Sequence, residues 1–123
     1  MCPNEVEGLR PPAAAETALL QWLLSADYQG AQVLVRQLAT TLVEPIDGDG
    51  SLRLHPINPT PATVSRRIPV EAAYADADGV QVHVLVHVVN GVLDELEVYR
   101  EDSGPVVIAP FDVSLVQVER VFA

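Results

Sequence analysis

From Val80 to Val88 the chain alternates with a period of two. Val80, Val82, Val84, Val86 and Val88 fall on one face of an extended strand, with Gln81, His83, Leu85 and His87 on the other. Asn90-Gly91 follows, a dipeptide suited to the positive φ angles of a tight hairpin turn, and then a second strand-like run from Val92 to Arg100. The stretch Gly79–Arg100 therefore predicts a β-hairpin with its valine face in the core.

The register of that hairpin matters, because a slip of one residue moves every side chain to the opposite face. A two-residue turn would set Val86 and Val84 opposite Glu95 and Glu97, placing two carboxylates on the apolar face. A three-residue loop separates apolar from polar better. It predicts Val88 facing Val92, Val84 facing Leu96 and Val82 facing Val98, with one blemish where Val86 meets Asp94. On the other face it pairs His83 with Glu97, Leu85 with Glu95 and Gln81 with Tyr99.

Elsewhere, good helix formers run from Ala13 to Ala26 after Pro11-Pro12, with Leu19, Leu20, Leu23 and Leu24 at helical spacing and Trp22 at the margin. A second helix is predicted over Ala31–Thr40. Strands follow at Thr41–Ile46 and Ser51–His55, joined by the turn Asp47-Gly48-Asp49-Gly50. His55 to Pro69 holds Pro56, Pro59, Pro61 and Pro69, which cannot donate to a ladder, so this segment reads as an irregular loop or an edge covering. Val70–Ala75 is a strand leading to the hairpin signal Asp78-Gly79. After the turn Glu101–Pro105 come an extended Val106–Ile108 and a last strand, Leu115–Phe122, with Val116, Val118 and Phe122 on one face. Met1 to Gly8 lacks periodicity and reads as a frayed tail ahead of a single domain over residues 9–123. The predicted class is α+β: one or two N-terminal helices packed on a mainly antiparallel sheet of four to six strands.

Several short blocks resemble a small bacterial domain family of unknown function. They are Leu9-Arg10-Pro11, Glu16 in the Leu-rich helix, Asp47-Gly48 before Ser51-Leu52, and the run from Gly91 through Leu93, Leu96, Glu97 and Val98 to Tyr99. The resemblance covers Leu9 to about Pro105. It implies the fold and supplies no catalytic residue.

Charge narrows the function. Seventeen acidic residues against seven basic ones give −10, and every basic residue is arginine. Phosphate backbones need clustered cations, so nucleic acid is not an expected partner; only Arg66-Arg67 forms a basic pair. No apolar run approaches the ~20 residues of a membrane span, and acidic residues stand where a signal peptide carries cations. A cytoplasmic bacterial protein is the expectation. Cys2 is the one cysteine, which excludes an intramolecular disulfide and a multi-cysteine zinc site.

Candidate chemistry gathers on the polar side of the hairpin, at His83, His87, Glu95, Glu97 and Tyr99, with Arg66 and Arg67 in the Pro-rich loop as further contacts. His83 and His87 lie four strand positions apart, roughly 13 Å at ~3.3 Å per residue, too far to share an ion, and no metal or cofactor is expected. Asp47, Asp49 and Ser51 begin like a calcium loop, but Leu52 replaces the required glycine and Asn58 the closing glutamate. No serine lies in a nucleophile elbow, and no phosphate-binding or dinucleotide glycine motif occurs. The sequence thus points away from catalysis. It favours an acidic protein-binding or accessory module, one specific form being an immunity-type protein that neutralises a basic partner. The alternative is an enzyme or small-ligand protein with a pocket between helices and sheet; homodimerisation through an edge strand stays open.

Overall fold

A computed structural model describes residues 8–114 and 117–122. The expected tail, with Cys2, lies almost wholly outside the described residues, as do Leu115 and Val116. Two helices, α1 (Ala14–Leu24) and α2 (Ala31–Leu38), precede six strands: β1 (Thr41–Pro45), β2 (Leu52–Pro56), β3 (Val70–Ala75), β4 (Gln81–Val89), β5 (Val92–Arg100) and β6 (Glu119–Phe122). All neighbouring strands are antiparallel, in the order β1-β2-β5-β4-β3-β6. This is the expected α+β class, with both helices on one face of one sheet.

That face is the valine face. Val82, Val84, Val86 and Val88 are buried with Leu96 and Val98 from β5, Leu52 and Leu54 from β2, and Val70, Ala72 and Tyr74 from β3. Leu19, Leu20, Leu23 and Leu24 of α1 and Leu34 and Leu38 of α2 cover them. Trp22 is half-buried at the margin, where the Arg120 guanidinium lies 4.2 Å from the ring centroid. Val80 is half-buried just before β4, so four valines, not five, form the buried row.

The hairpin register differs from the expected one. Asn90-Gly91 is a two-residue turn, both residues at positive φ, with Val89 opposite Val92 and Val88 opposite Leu93. The ladder then shifts by one residue: His87 stands opposite Glu95, Val86 opposite Leu96, Leu85 opposite Glu97, Val84 opposite Val98, His83 opposite Tyr99 and Val82 opposite Arg100. Asp94 is the extra residue of a β-bulge. The tight turn and a clean apolar face are compatible because the bulge restores the in–out parity that an unbroken ladder would have lost. The expected pairs His83–Glu97, Leu85–Glu95 and Gln81–Tyr99 are therefore each displaced, and Val86 is spared its meeting with Asp94.

The Pro-rich loop covers the turn end of the hairpin. Ala62 N–H donates to the Gly91 carbonyl at 2.8 Å, and Val88 N–H donates to the Arg67 carbonyl at 2.7 Å. A Cβ on Gly91 would collide with the Ala62 backbone, and one on Gly30 would come within 2.6 Å of the Thr63 carbonyl oxygen. Both glycines have positive φ, so each position selects glycine twice over. Gln37 locks the same region from α2. Its buried amide donates to the Thr60 and Gly91 carbonyls at 2.8 and 2.9 Å and accepts from Leu93 N–H at 2.9 Å.

At the other end, the expected extended segment Val106–Ile108 is irregular, because its amides bind a carboxylate in place of a strand. The fully buried Asp76 side chain accepts from Val107 and Ile108 N–H at 2.9 and 2.8 Å, from Ala77 N–H, and from Arg100 Nη1 at 3.0 Å. Arg100 also donates to Asp78 and, through two nitrogens, to Asp102 at 3.0 and 2.7 Å. A 3-10 turn over Pro110–Asp112 follows. The final strand begins later than expected, at Glu119, and Val118 before it is buried.

Candidate functional site

With both helices on the valine face, no described helix covers the outer face of the sheet. The same strand alternation that sends the valines inward sends polar residues outward from four adjacent strands: Glu44 from β1 and Arg53 and His55 from β2, then Glu95, Glu97 and Tyr99 from β5 and His83 and His87, with apolar Leu85 between them, from β4. Glu71 follows on β3, opposite Leu85. Leu85 is buried among these polar neighbours.

Each histidine on this face meets a carboxylate. His87 Nε2 lies 2.7 Å from Glu97 Oε1, and His55 Nε2 lies 3.3 Å from Glu44 Oε1. His83 is held from both sides: Nδ1 is 3.1 Å from Glu71 Oε2 and Nε2 is 3.1 Å from Glu101 Oε1. Both contacts are hydrogen bonds only when the ring carries two protons. The His83 and Tyr99 rings stack across the strands with centroids 5.0 Å apart and planes 17° from parallel. Tyr99 remains 40% exposed, so the stack presents an aromatic surface to solvent. Burial, followed by the nearby Glu71, Glu97 and Glu101 charges, raises the Tyr99 hydroxyl pKa, which keeps it a neutral phenol.

The bulge gathers a second group of donors. His87, Glu95 and Glu97 each offer a ligand atom, and these atoms lie within 4.8 Å of one another. The sequence places the two histidines far apart, and they do not converge. What the expected register concealed is that both glutamates flank His87 and neither pairs with His83.

Of the residues expected to form a surface, His83, His87, Glu95, Glu97 and Tyr99 share the outer face. Arg66 and Arg67 do not join Tyr99: they line a shallow groove of about 450 Å³ with Asn90 and Gly91, at the opposite end of β5. Glu71 and Glu101, which clamp His83, are missing from the sequence reading. The alternation of Val70–Ala75 could have placed Glu71 outward; nothing in the sequence places Glu101 at the ring.

Two further grooves run along the helices. One, of about 830 Å³, is lined from Leu24 to Arg36 around the α1–α2 junction; the other, of about 780 Å³, lies between Pro11, Gln21, Leu38 and Ile57. Neither is lined by a histidine. The tyrosine of the first, Tyr28, donates to the Leu24 carbonyl at 3.1 Å, and burial pushes its pKa up to about 12, so it offers no proton chemistry near neutrality.

The residues of the N-terminal resemblance prove to be a clamp. Arg10 donates two nitrogens to the Glu16 carboxylate at 2.6 and 2.8 Å, and Glu16 also accepts from Ala13 N–H at 2.8 Å at the start of α1. The Arg10 bonds, ahead of the Ala13 amide, hold the Glu16 carboxyl below the usual range. The Arg10 backbone meanwhile pairs with Val43 on the edge strand.

Residues 9–110 match the family described as domain of unknown function DUF6984, and the chain belongs to that family. No curated protein and no solved structure matches it. The matched segment holds both helices, the first five strands and the whole histidine–carboxylate face. No described helix is long and apolar enough to cross a membrane.

Proposed function

We propose that this DUF6984 domain is a non-catalytic binding module of the bacterial cytoplasm, and that the outer sheet face docks a basic protein. The observation that carries this reading is the exposed Tyr99 stacked on half-buried His83, ringed by Glu71, Glu97 and Glu101 on a face with no described helix over it. An exposed aromatic anchor bordered by carboxylates suits a surface rich in arginine or lysine. The aromatic ring supplies contact area and cation–π attraction, while the charges raise the encounter rate. A net charge of −10 acts in the same direction at long range.

An immunity-type role, in which the face neutralises a basic toxin, is the specific form this reading favours. The enzyme alternative has less support. Its expected sign is a pocket converging on a histidine and a carboxylate, whereas the two helix-side grooves carry no histidine.

The test is capture of partners from the source cells at low and high salt, with three baits. These are the wild type, an outer-face variant (Glu71→Gln, Glu97→Gln, Glu101→Gln), and a control neutralised away from that face (Asp27→Asn, Asp112→Asn). A basic protein held by the wild type and the control, lost with the outer-face variant and lost at high salt, supports the reading. A partner retained equally by all three baits would sink it.

A further inference from the structure

We propose that His87, Glu95 and Glu97 form a site for one divalent transition-metal ion. The inference rests on these three side chains and stands whether or not the face docks a protein. One imidazole and two carboxylates make a mixed nitrogen–oxygen donor set, suited to zinc, cobalt, nickel or manganese in preference to calcium or magnesium, which prefer oxygen alone. Three protein donors leave at least one coordination position for water.

The backbone brings the donors together. The Asp94 bulge sets Glu95 opposite His87, and Glu97, two positions further along β5, projects from the same face. His87 Nε2 is already 2.7 Å from Glu97 Oε1, so a cation there takes the place of the shared proton. The third donor, the Glu95 carboxylate, belongs to a half-buried residue and makes no hydrogen bond or ion pair among the described residues. Arg53, its neighbour on β2, is oriented instead toward Glu44, with 3.9 Å between Nε and Oε1. Bound donors sit about 2.0–2.2 Å from the ion. With the ligand atoms up to 4.8 Å apart, seating an ion draws the widest pair inward by roughly 1 Å or more, within reach of glutamate side-chain torsions.

The same geometry sets the strength. With the ion at Nε2 the ring proton resides on Nδ1, which is buried and has no hydrogen-bond partner among the described residues. Histidine ligands usually donate that proton to an acceptor, so affinity roughly 10- to 100-fold below a supported site is expected. His83 makes the natural control. Its two carboxylates approach opposite ring nitrogens, so the three groups do not converge on one ion.

The experiment uses the full chain with Cys2→Ser, which removes the one thiol. The protein is stripped with chelator and titrated with cobalt(II) and zinc(II), followed by cobalt absorption and calorimetry. One ion per chain is expected, resisting an equal concentration of magnesium or calcium. Binding should weaken at least about tenfold in each of His87→Gln, Glu95→Gln and Glu97→Gln, and stay unchanged in His83→Gln. Independently of any variant, nickel(II) should broaden the His87 ring signals before those of His83 and His55. No saturable binding, equal binding by His87→Gln, or broadening of His83 first would each overturn the proposal.

Discussion

Glu95, not Asp94, stands opposite His87 across the β4–β5 ladder. One extra residue in β5 thereby does two things. It keeps Leu93, Leu96 and Val98 on the core face, and it delivers Glu95 and Glu97 to the outer face beside a histidine.

The first prediction concerns that extra residue. Deleting Asp94 removes the bulge while leaving every pair from Val89–Val92 to Val82–Arg100 in place. The protein should fold, with a loss below about 2 kcal/mol and retained cross-strand contacts in NMR spectra. Deleting Glu97 should instead turn Val98 outward and Tyr99 inward and abolish folding. A Glu97 deletion as stable as the Asp94 deletion would show that the bulge does not set the parity.

Arg100 ties the β3–β4 turn, the end of β5 and the 106–108 segment through Asp76, Asp78 and Asp102. Replacing it with methionine leaves the buried Asp76 carboxylate without its cation, and the melting temperature at pH 7 should fall on the order of 10 °C. Calorimetry checks this; an unchanged melting temperature contradicts it.

Acid should act on the same cluster. The amides of Val107 and Ile108, and then Arg100, hold Asp76 at about 2; Arg100, and then the Gly104 amide, hold Asp102 at about 2. Because these folded-state values lie below those of the unfolded chain, their stabilisation is complete above about pH 4. It is lost as pH falls toward 2. Unfolding midpoints should drop across that window in the wild type. In Arg100→Met they should start lower and drop less, since Asp78 and Asp102 lose the largest cause of their depression. Parallel acid profiles for the two proteins would refute the assignment.

Gln37→Leu should strand the Leu93 N–H and the Thr60 carbonyl, while the Gly91 carbonyl keeps its bond from Ala62 N–H. A cost of about 3 kcal/mol is expected, with faster amide hydrogen exchange concentrated at Ala62 and Leu93. Uniform exchange across the sheet would argue against a local lock.

The clamp at the start of α1 gives the last prediction. Glu16→Ala removes both the Arg10 pair and the acceptor for Ala13 N–H, and should cost about 1–2 kcal/mol in denaturant unfolding. Arg10→Ala should cost less, because the bond from Ala13 survives. The reverse order would contradict the geometry.

The sequence by itself determined the class, the presence of both helices and all six strands, and the identity of both sheet faces, though not the irregular 106–108 segment or the late start of β6. Periodicity carries that information locally: valines spaced by two must share a face, and leucines at helical spacing must share another. It also placed His83, His87, Glu95, Glu97 and Tyr99 on one surface. It left open which of them touch, because a bulge adds one residue without any local mark, and the expected three-residue loop separated the faces with different partners and one blemish at Asp94. Only the tertiary structure decided that Glu95 and Glu97 flank His87, that Glu71 and Glu101 clamp His83, and that Asp76, Arg100 and Gln37 are buried polar ties. Those contacts include spans of 10 residues, for His87 and Glu97, and of 56, for Gln37 and Leu93, and their geometry follows from how the strands pair in space.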